Sequence, residues 1–265
     1  MKRVFITGAS SGIGAALAKR YAEQGAVLGL VARRETQLRA LADGLPQAER
    51  HRVYAVDVTD HAALAAAAQD FLAHAGGADV VIANVGISRG TLTEYAEDLA
   101  VFERILATNV TATAATFAPF IAAMRAQSEA GGAACRLVGI ASVAGIRGLP
   151  GAEAYSASKA AVISYCESLR VELKKSGIKV VTIAPGYIDT PMTRVNTYRM
   201  PFLMPAEEFA ERAVAAIEAG TSYRVIPWQM GIVAKLLRLL PNAVYDLAFS
   251  NAPRKARETD AEGRP

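Results

Sequence analysis

The stretch VFITGASSGIG, Val4 to Gly14, joins a short apolar run directly to a glycine-rich turn. The run at 4–7 is typical of a buried strand, and residues 12–24, ended by Gly25, follow a helical pattern. Gly8 lets the chain turn sharply, while Gly12 and Gly14 remove Cβ atoms where a pyrophosphate and a neighbouring strand must come close. The first N–H groups of the following helix suit a phosphate. The stretch therefore indicates a dinucleotide-binding turn, with a purely structural strand-to-helix turn as the alternative.

The rest of the chain alternates the same two patterns. Strands are predicted at 27–31, 53–56, 79–83, 137–141, 180–184 and 223–226. Helices are predicted at 35–43, 61–74, 94–127, 155–175 and 205–219, the last with Pro205 at its first position. Several strands are continuously apolar, as expected for strands covered on both faces. The alternation predicts an α/β fold, a single-domain Rossmann-type doubly wound parallel sheet of about seven strands with helices on both faces, over residues 1–226.

Composition narrows the class of protein. The chain has 265 residues, 52% hydrophobic and 20% charged, with a net charge of +4 that is not concentrated in a basic stripe. This favours a globular domain and gives no case for nucleic acid. Cys135 and Cys166 are too few for a disulfide framework and are expected to be buried thiols in a reducing compartment. The apolar run at 4–6 is too short for a secretory signal, and no uninterrupted apolar run is long enough to span a membrane, so we expect a cytoplasmic protein.

A second motif lies in AYSASKAAV, Ala154 to Val162. Tyr155 and Lys159 are four positions apart on a predicted helix, which stacks them on one face. On its own the pair is compatible with an ordinary helix surface that carries a tyrosine and a solvated lysine.

Together with the TGxxxGxG spacing of Thr7 to Gly14, this pair makes the chain resemble the short-chain dehydrogenase/reductase family, over nearly all of residues 1–226. The resemblance implies hydride transfer between NAD(P) and a CH–OH or C=O group, and a homodimer or homotetramer. It implies no metal site.

The resemblance also implies a catalytic set of Asn109, Ser142, Tyr155 and Lys159. Tyr155 would be the acid/base, Ser142 would bind the substrate oxygen, and Lys159 would hold the nicotinamide ribose. Asn109 would interrupt its helix and order a water that links Lys159 to solvent. A free phenol has a pKa near 10, and we expect the lysine cation and the oxidised nicotinamide to lower it.

The cofactor contacts implied by the resemblance fall in the loops after the strands and on the catalytic helix. They are Gly8, Ser10, Ser11, Gly12, Ile13, Gly14, Arg33, Arg34, Asp57, Val58, Asn84, Gly86, Tyr155, Lys159, Pro185, Gly186, Ile188 and Thr190. Asn84 and Gly86 match the family's NNAG motif, whereas Ala83 and Val85 do not. We expect Asn84 to brace the backbone, Asp57 to contact the adenine, and Thr190 to flank the nicotinamide carboxamide.

The end of the second strand predicts the choice of cofactor. Family members that prefer NAD usually carry an aspartate here, and this chain has Ala32 followed by Arg33 and Arg34. A guanidinium suits a 2′-phosphate through charge-assisted hydrogen bonds. We therefore expect NADP(H) rather than NAD(H), with a merely basic start to the second helix as the alternative.

Three further segments complete the prediction. The resemblance implies a substrate lid at about 187–205. This segment is rich in methionine and aromatic residues, which favours an apolar ketone or alcohol as substrate unless these side chains simply pack on the core. In the extension at 227–250, Val233, Leu236, Leu237 and Leu240 follow helical spacing. It could pack on its own fold or a partner subunit, lie on a membrane surface through 229–250, or cover the substrate. The polar tail at 251–265 is predicted to be disordered.

Two rival functions remain open. Another chemistry on the same fold is one, although enoyl reductases of this superfamily space the tyrosine and lysine seven apart, where this chain has Val162. Epimerases and dehydratases use a different glycine spacing and a longer substrate domain. An NADP-binding regulator without turnover is the other, although the serine, tyrosine and lysine are all present.

Overall fold

The computed structural model describes residues 1–259 and centres on a seven-stranded parallel sheet. Its strands are β1 (Arg3–Thr7), β2 (Val27–Ala32), β3 (Arg52–Ala55), β4 (Val80–Ala83), β5 (Arg136–Ile140), β6 (Lys179–Pro185) and β9 (Tyr223–Ile226). Two further strands, β7 (Ile188–Asp189) and β8 (Met204–Pro205), form a separate small sheet. The order across the sheet is β3-β2-β1-β4-β5-β6-β9. The predicted sheet is confirmed, and the point where the strand order reverses, between β1 and β4, opens a crevice at the carboxyl ends of the strands.

The helices follow the predicted positions closely. They are α1 (Gly12–Glu23), α2 (Glu35–Asp43), α3 (His61–Ala75), α4 (Asp98–Leu106), α5 (Ala112–Glu129), α6 (Glu153–Glu172), α7 (Pro191–Arg194), α8 (Ala206–Glu218), α9 (Trp228–Leu239) and α10 (Asn242–Phe249). The prediction for Pro205 is wrong by one position, because this proline caps α8 in an extended conformation and Ala206 is the first helical residue.

The sheet is buried on both faces, which explains why its strands are continuously apolar. Along β1, Val4 and Ile6 belong to the core under α1, α2 and α8, while Phe5 between them belongs to the core under α3, α5 and α6. Alternate side chains of a strand point to opposite faces, so each face needs its own apolar set. Cys135 and Cys166 are both buried free thiols in the second of these cores, as predicted.

The predicted helix at 94–127 is interrupted where the resemblance implied. Helices α4 and α5 are joined by a π-helical turn, Ala107–Thr111, with Asn109 at its centre. The whole helix, Asp98–Glu129, is long and apolar enough by length and composition to cross a membrane. Its residues Phe117, Phe120 and Met124 are nevertheless fully buried against the sheet, so it serves here as a core helix of the fold.

The extension forms two helices that pack partly on their own domain. The face of α9 that turns inward carries Met230, Gly231 and Ala234 rather than the predicted stripe, and Leu236 of that stripe is 60% exposed. Small residues face inward because the helix lies very close to the sheet: a Cβ at Gly231 would be 3.2 Å from the Val225 side chain.

The tail differs from the prediction of disorder. Residues 251–259 turn back onto the loop between β4 and α4, where the Gly90 N–H donates to the Ala256 carbonyl at 3.0 Å and Lys255 donates to the Ser88 hydroxyl at 3.0 Å. Three polar side chains of this segment make hydrogen bonds or ion pairs within the fold, namely Lys255, Arg257 and Glu258. The last part of the predicted tail, 260–265, lies outside the described residues.

Substituting Gly29 tests the packing of the sheet. A Cβ at this position in β2 would lie 2.6 Å from ring carbons of both Phe5 and Phe71. We expect Gly29→Ala to lower the free energy of unfolding by about 1–3 kcal/mol through overpacking, measured by urea titration. Gly44→Ala is the matched control, because its Cβ would meet nothing nearer than 3.6 Å. Equal stability of the two variants would contradict this packing.

Candidate active site

One cleft of about 600 Å³ lies along the carboxyl ends of the strands. It brings together nearly all of the predicted site residues. Those that line it are Gly8, Ser10, Ser11, Gly12, Ile13, Arg33, Arg34, Asp57, Val58, Asn84, Gly86, Ser142, Tyr155, Lys159, Pro185, Gly186, Ile188 and Thr190. Gly14 and Asn109 lie behind the surface instead. A Cβ at Gly14 would be 2.1 Å from the Gly8 carbonyl oxygen, so this glycine permits the close approach of α1 to the turn.

The glycine-rich turn has the shape of a phosphate cradle. Gly8 and Gly12 have φ angles of +69° and +55°, which residues other than glycine rarely adopt. The Ser11 side chain does not cap α1, so it does not occupy the N–H groups of the first turn. A helix N-terminus of this kind favours negative charge, and the residues present therefore fit the pyrophosphate of a dinucleotide.

Two arginines mark one end of the cleft. Arg34 donates hydrogen bonds to the hydroxyls of Ser10 at 3.1 Å and Ser11 at 2.8 Å. Arg33 is largely exposed and lies 3.6 Å from the Asp57 carboxylate. Asp57 also accepts hydrogen bonds from the backbone N–H and the hydroxyl of Thr59. Arg34 thus reaches the glycine turn, while Arg33 remains accessible to an anion.

Tyr155, Lys159 and Ser142 meet in the middle of the cleft. The Lys159 ammonium lies 5.8 Å from the centre of the Tyr155 ring and donates to the Ile140 carbonyl at 2.9 Å. Burial lowers the pKa of Lys159 to about 8. Burial also raises the pKa of Tyr155, and a hydrogen bond with Ser142 opposes this rise. The expected lowering of the Tyr155 pKa is therefore not found in the free chain, because desolvation of the phenolate outweighs the other effects.

Asn109, in the π-helical turn, connects the loop after β4 to α6 beside this centre. Its Oδ1 accepts from the Ile87 N–H at 2.8 Å, and its Nδ2 donates to the Ile87 carbonyl at 3.0 Å and to the Ser158 hydroxyl at 2.9 Å. A Cβ at Gly86 would be 3.3 Å from the Lys159 Nζ and 3.4 Å from the Asn109 Oδ1. The side chain of Asn109 thus ties the loop after β4 to α6, and Gly86 leaves room for Lys159.

Asn84 braces the backbone on the other side of the same loop. Its amide donates to the carbonyls of Thr7 at 3.1 Å and Gly8 at 3.2 Å, and its backbone N–H donates to the Thr7 hydroxyl at 3.2 Å. Ala83, where the family motif has an asparagine, is buried in β4. The contacts of Asn84 hold the glycine turn against the end of β4.

The lid residues divide between packing and exposure. Thr190 and Thr193 form a capping box at the start of α7, which fixes the first part of the lid beside the cleft. A Cβ at Gly12 would lie 3.1 Å from the Thr190 side chain, so the lid begins directly opposite the glycine turn. Met204 is buried, whereas Val195 and Phe202 are at least half exposed. The alternative, that the side chains of the lid simply pack on the core, therefore holds for Met204 but not for Val195 and Phe202.

Sequence reasoning missed several residues of the cleft. Arg89, Arg104, Thr108 and Glu258 also line it. They come from the β4–α4 loop, the α4 region and the tail, and no motif connects them along the chain. Within residues 1–259, no group of three or more histidine, cysteine, aspartate or glutamate side chains could hold a metal ion.

The parallel sheet, the glycine turn after its first strand and the cleft at the switch point define a Rossmann-type nucleotide-binding protein. Residues 2–200 match the family model described as short chain dehydrogenase. A protein of Myxococcus xanthus (strain DK1622) described as an uncharacterized oxidoreductase is 37% identical over 249 residues, which cover 93% of this chain and 96% of that protein.

Two further comparisons agree. The 3-oxoacyl-(acyl-carrier-protein) reductase of Chlamydia muridarum is 35% identical over 198 residues, which cover 73% of this chain and 76% of that protein. The crystal structure of a 3-ketoacyl-(acyl-carrier-protein) reductase from Brucella melitensis, complexed with NADH, superposes with a TM-score of 0.77 at 26% identity, over 85% of this chain and 96% of that one. The chain belongs to the short-chain dehydrogenase family and is an oxidoreductase that interconverts CH–OH and C=O groups with NAD(P).

The buried charge of Lys159 predicts a pH dependence of stability. Its pKa in the folded chain is about 8, below the ordinary value of 10.5, so the folded state binds this proton less tightly than the unfolded state. The cost of burying the ammonium is therefore fully present below pH 8 and disappears as the pH rises toward 10.5. We expect Lys159→Met to be more stable than the wild type at neutral pH by about 1–3 kcal/mol, and this difference to shrink at high pH.

Urea unfolding at neutral and at alkaline pH measures this difference. Lys19→Met, at an exposed position of α1, is the matched control and should change stability little at either pH. A stability difference for Lys159→Met that stays constant with pH would contradict the shifted pKa of Lys159.

Proposed function

We propose that the chain is an NADP-preferring oxidoreductase that transfers hydride between the nicotinamide and a carbonyl or secondary alcohol of an apolar substrate, with Tyr155 as acid/base. The observation that carries this proposal is the meeting of Tyr155, Ser142 and Lys159 in the cleft that also contains the glycine turn. Hydride transfer needs a proton donor or acceptor beside the carbonyl oxygen, and a phenol flanked by a hydroxyl and an ammonium meets that need.

Each side chain has a separate task in this proposal. When bound, NADP(H) would supply or accept the hydride. The Ser142 hydroxyl binds the substrate oxygen, and the Tyr155 hydroxyl donates its proton to that oxygen during reduction. Because burial raises the pKa of Tyr155 above its ordinary value of 10.0, the side chain is a neutral phenol near pH 7. This protonated form is the one that donates a proton to the substrate oxygen during reduction.

The apolar surface beside the cleft supports an apolar substrate. Met192, Val195, Phe202 and Leu203 of the lid are exposed by 38–66% in the free chain. Exposed apolar side chains on a segment at the mouth of a cleft can be buried by a ligand when the segment closes. Thioethers and aromatic rings adapt well to irregular apolar ligands.

The exposed side of the extension supports an oligomer. Trp228, Ile232, Leu236 and Leu239 form a stripe along α9 whose members are 50–79% exposed. A stripe of this kind is typical of a surface covered by a second subunit or a membrane. We infer a cytoplasmic homo-oligomer, in keeping with the two buried free thiols.

The role of Tyr155 is tested by Tyr155→Phe. This variant keeps the ring but removes the exchangeable proton, so it should bind NADPH normally and lose turnover by about 10²–10⁴-fold. NADPH oxidation is followed over a panel of ketones of graded chain length, with Tyr165→Phe as the matched control because Tyr165 lies on the same helix outside the cleft. Near-normal turnover of Tyr155→Phe would contradict the proposal, and a wild type inactive on every ketone would favour a regulator.

The cofactor preference is tested by Arg33→Ala. One charge-assisted hydrogen bond contributes roughly 1.5–3 kcal/mol, and about 1.4 kcal/mol corresponds to a factor of ten in Kd. The wild type should therefore bind NADPH at least about tenfold more tightly than NADH. Arg33→Ala should weaken NADPH alone, and the double variant with Ala32→Asp should shift the preference toward NADH.

Fluorescence titration with both cofactors at low and high salt measures these affinities. High salt should reduce the preference, because Arg33 is largely exposed. Arg39→Ala is the matched control, since Arg39 lies on α2 outside the cleft and pairs with Glu35. Equal losses for NADPH and NADH in Arg33→Ala would show that this arginine does not select the cofactor.

A further inference from the structure

Two arginines in the cleft have no part in the chemistry proposed above. Arg89 comes from the β4–α4 loop and Arg104 from α4, and both line the cleft. Between them lies the carboxylate of Glu258, 2.5 Å from Arg104 and 3.6 Å from Arg89. The chain thus places its own carboxylate on a pair of guanidinium groups inside its active-site cleft.

The segment that carries Glu258 is firmly held. We call residues 254–258 the C-terminal strap. Arg257 donates to both carboxylate oxygens of Asp98, at 2.8 and 3.1 Å, and its guanidinium lies 3.7 Å from the centre of the Tyr95 ring. The Asp98 side chain is only 4% exposed, so this anchor is shielded from water.

The contact made by Glu258 itself is of a different kind. Its side chain is 38% exposed, and those of Arg104 and Arg89 are 49% and 52% exposed. Ion pairs this exposed contribute little to stability, because water and salt screen them. An anchored strap with an exchangeable carboxylate allows a ligand to replace Glu258 at the arginines while the strap stays in place.

The strap packs beside residues 151–154, which lead into the catalytic helix. A Cβ at Gly151 would be 2.7 Å from the Arg254 side chain. On the other edge of the strap, the Gly90 N–H donates to the Ala256 carbonyl. The hydroxyl of Thr91, the residue after Gly90, accepts from the Ala154 N–H at 3.3 Å. Ala154 directly precedes Tyr155. The arginines proposed to select the cofactor follow β2, whereas Arg89 directly precedes Gly90 and lies beside the segment that leads into the catalytic helix, and Arg104 shares the Glu258 carboxylate with Arg89.

We propose that Arg89 and Arg104 bind a carboxylate at the far end of the substrate, and that Glu258 occupies this subsite until the substrate displaces it. The inference rests on the proposed function for the position of the reacting carbonyl. It narrows the substrate class to oxo or hydroxy acids with an apolar body. Guanidinium groups recognise carboxylates through forked, charge-assisted hydrogen bonds, which is the contact that Glu258 imitates.

Binding of hexanoate and of the uncharged hexanamide to the NADPH-loaded chain tests the subsite without requiring turnover. Ligand-observed NMR titration gives both dissociation constants. Glu258→Gln removes the internal competitor, so it should bind hexanoate about three- to fivefold more tightly, the factor that an exposed ion pair allows, and hexanamide equally well. Arg104→Gln should weaken hexanoate by about tenfold and leave hexanamide unchanged.

Glu49→Gln makes the same change of charge on the surface outside the cleft and should leave both constants unchanged. Hexanoate that binds no better than hexanamide, or an unchanged hexanoate constant in Glu258→Gln, would overturn the subsite. If Glu258→Gln instead tightened NADPH and not hexanoate, the arginines would serve a cofactor phosphate and the proposal would be wrong. These outcomes are separate from the ketone assays, so a failure of the proposed function would be recognised independently.

Discussion

The amide of Asn109 is the contact on which the rest of the active-site cleft depends. It is fully buried and satisfies both the N–H and the carbonyl of Ile87, and it also bonds to Ser158 one residue before Lys159. A regular helix would carry on through this position, but the π-helical turn inserts an additional residue between α4 and α5 and allows the amide to reach the loop. Removing the amide would leave the partly buried N–H and carbonyl of Ile87 without this partner, which has a cost in free energy.

The local patterns of the sequence were sufficient to predict the sheet and the dinucleotide-binding turn, and the resemblance to a family was needed to assemble the catalytic set. The turn from β1 into α1, the continuous strands and the Tyr155–Lys159 spacing are short-range signals, and parallel strands bring their carboxyl ends to one edge whatever the loops contain. The interruption at Asn109 followed only from the resemblance to a family. No local pattern distinguishes this asparagine from one that an ordinary helix tolerates.

The features that sequence reasoning missed depend on contacts between distant residues. Arg104 and Glu258 are 154 positions apart, and the polar composition of the tail gave no sign that its charges are paired. The inward face of α9 was misassigned for a related reason. Its small residues Gly231 and Ala234 face inward because the helix lies close to the sheet, a spacing that hydrophobicity alone does not reveal. The pKa of Tyr155 was expected to fall because of the positive charges of Lys159 and the nicotinamide, and the sequence did not reveal the burial that raises it.

Charge is distributed unevenly along the cleft. Arginines stand at the end where β2 finishes and again beside the C-terminal strap, while Tyr155 and Lys159 lie between them in a poorly solvated centre. Such a centre raises the pKa of a phenol and lowers that of an amine, so both groups are held nearer to neutrality than they would be in water. A proton can then move with little change in solvation.

Titration of the tyrosinate absorbance tests this electrostatic arrangement most directly. The difference between the wild type and Tyr155→Phe isolates the signal of Tyr155, and it is recorded with and without NADP⁺. We expect a pKa above the ordinary 10.0 in the free chain and a decrease by at least about one unit when the positive charge of the nicotinamide binds beside the phenol. A pKa at or below the ordinary value in the free chain would contradict the desolvated centre around Tyr155, and a pKa that NADP⁺ leaves unchanged would contradict the proposed position of the nicotinamide beside this phenol.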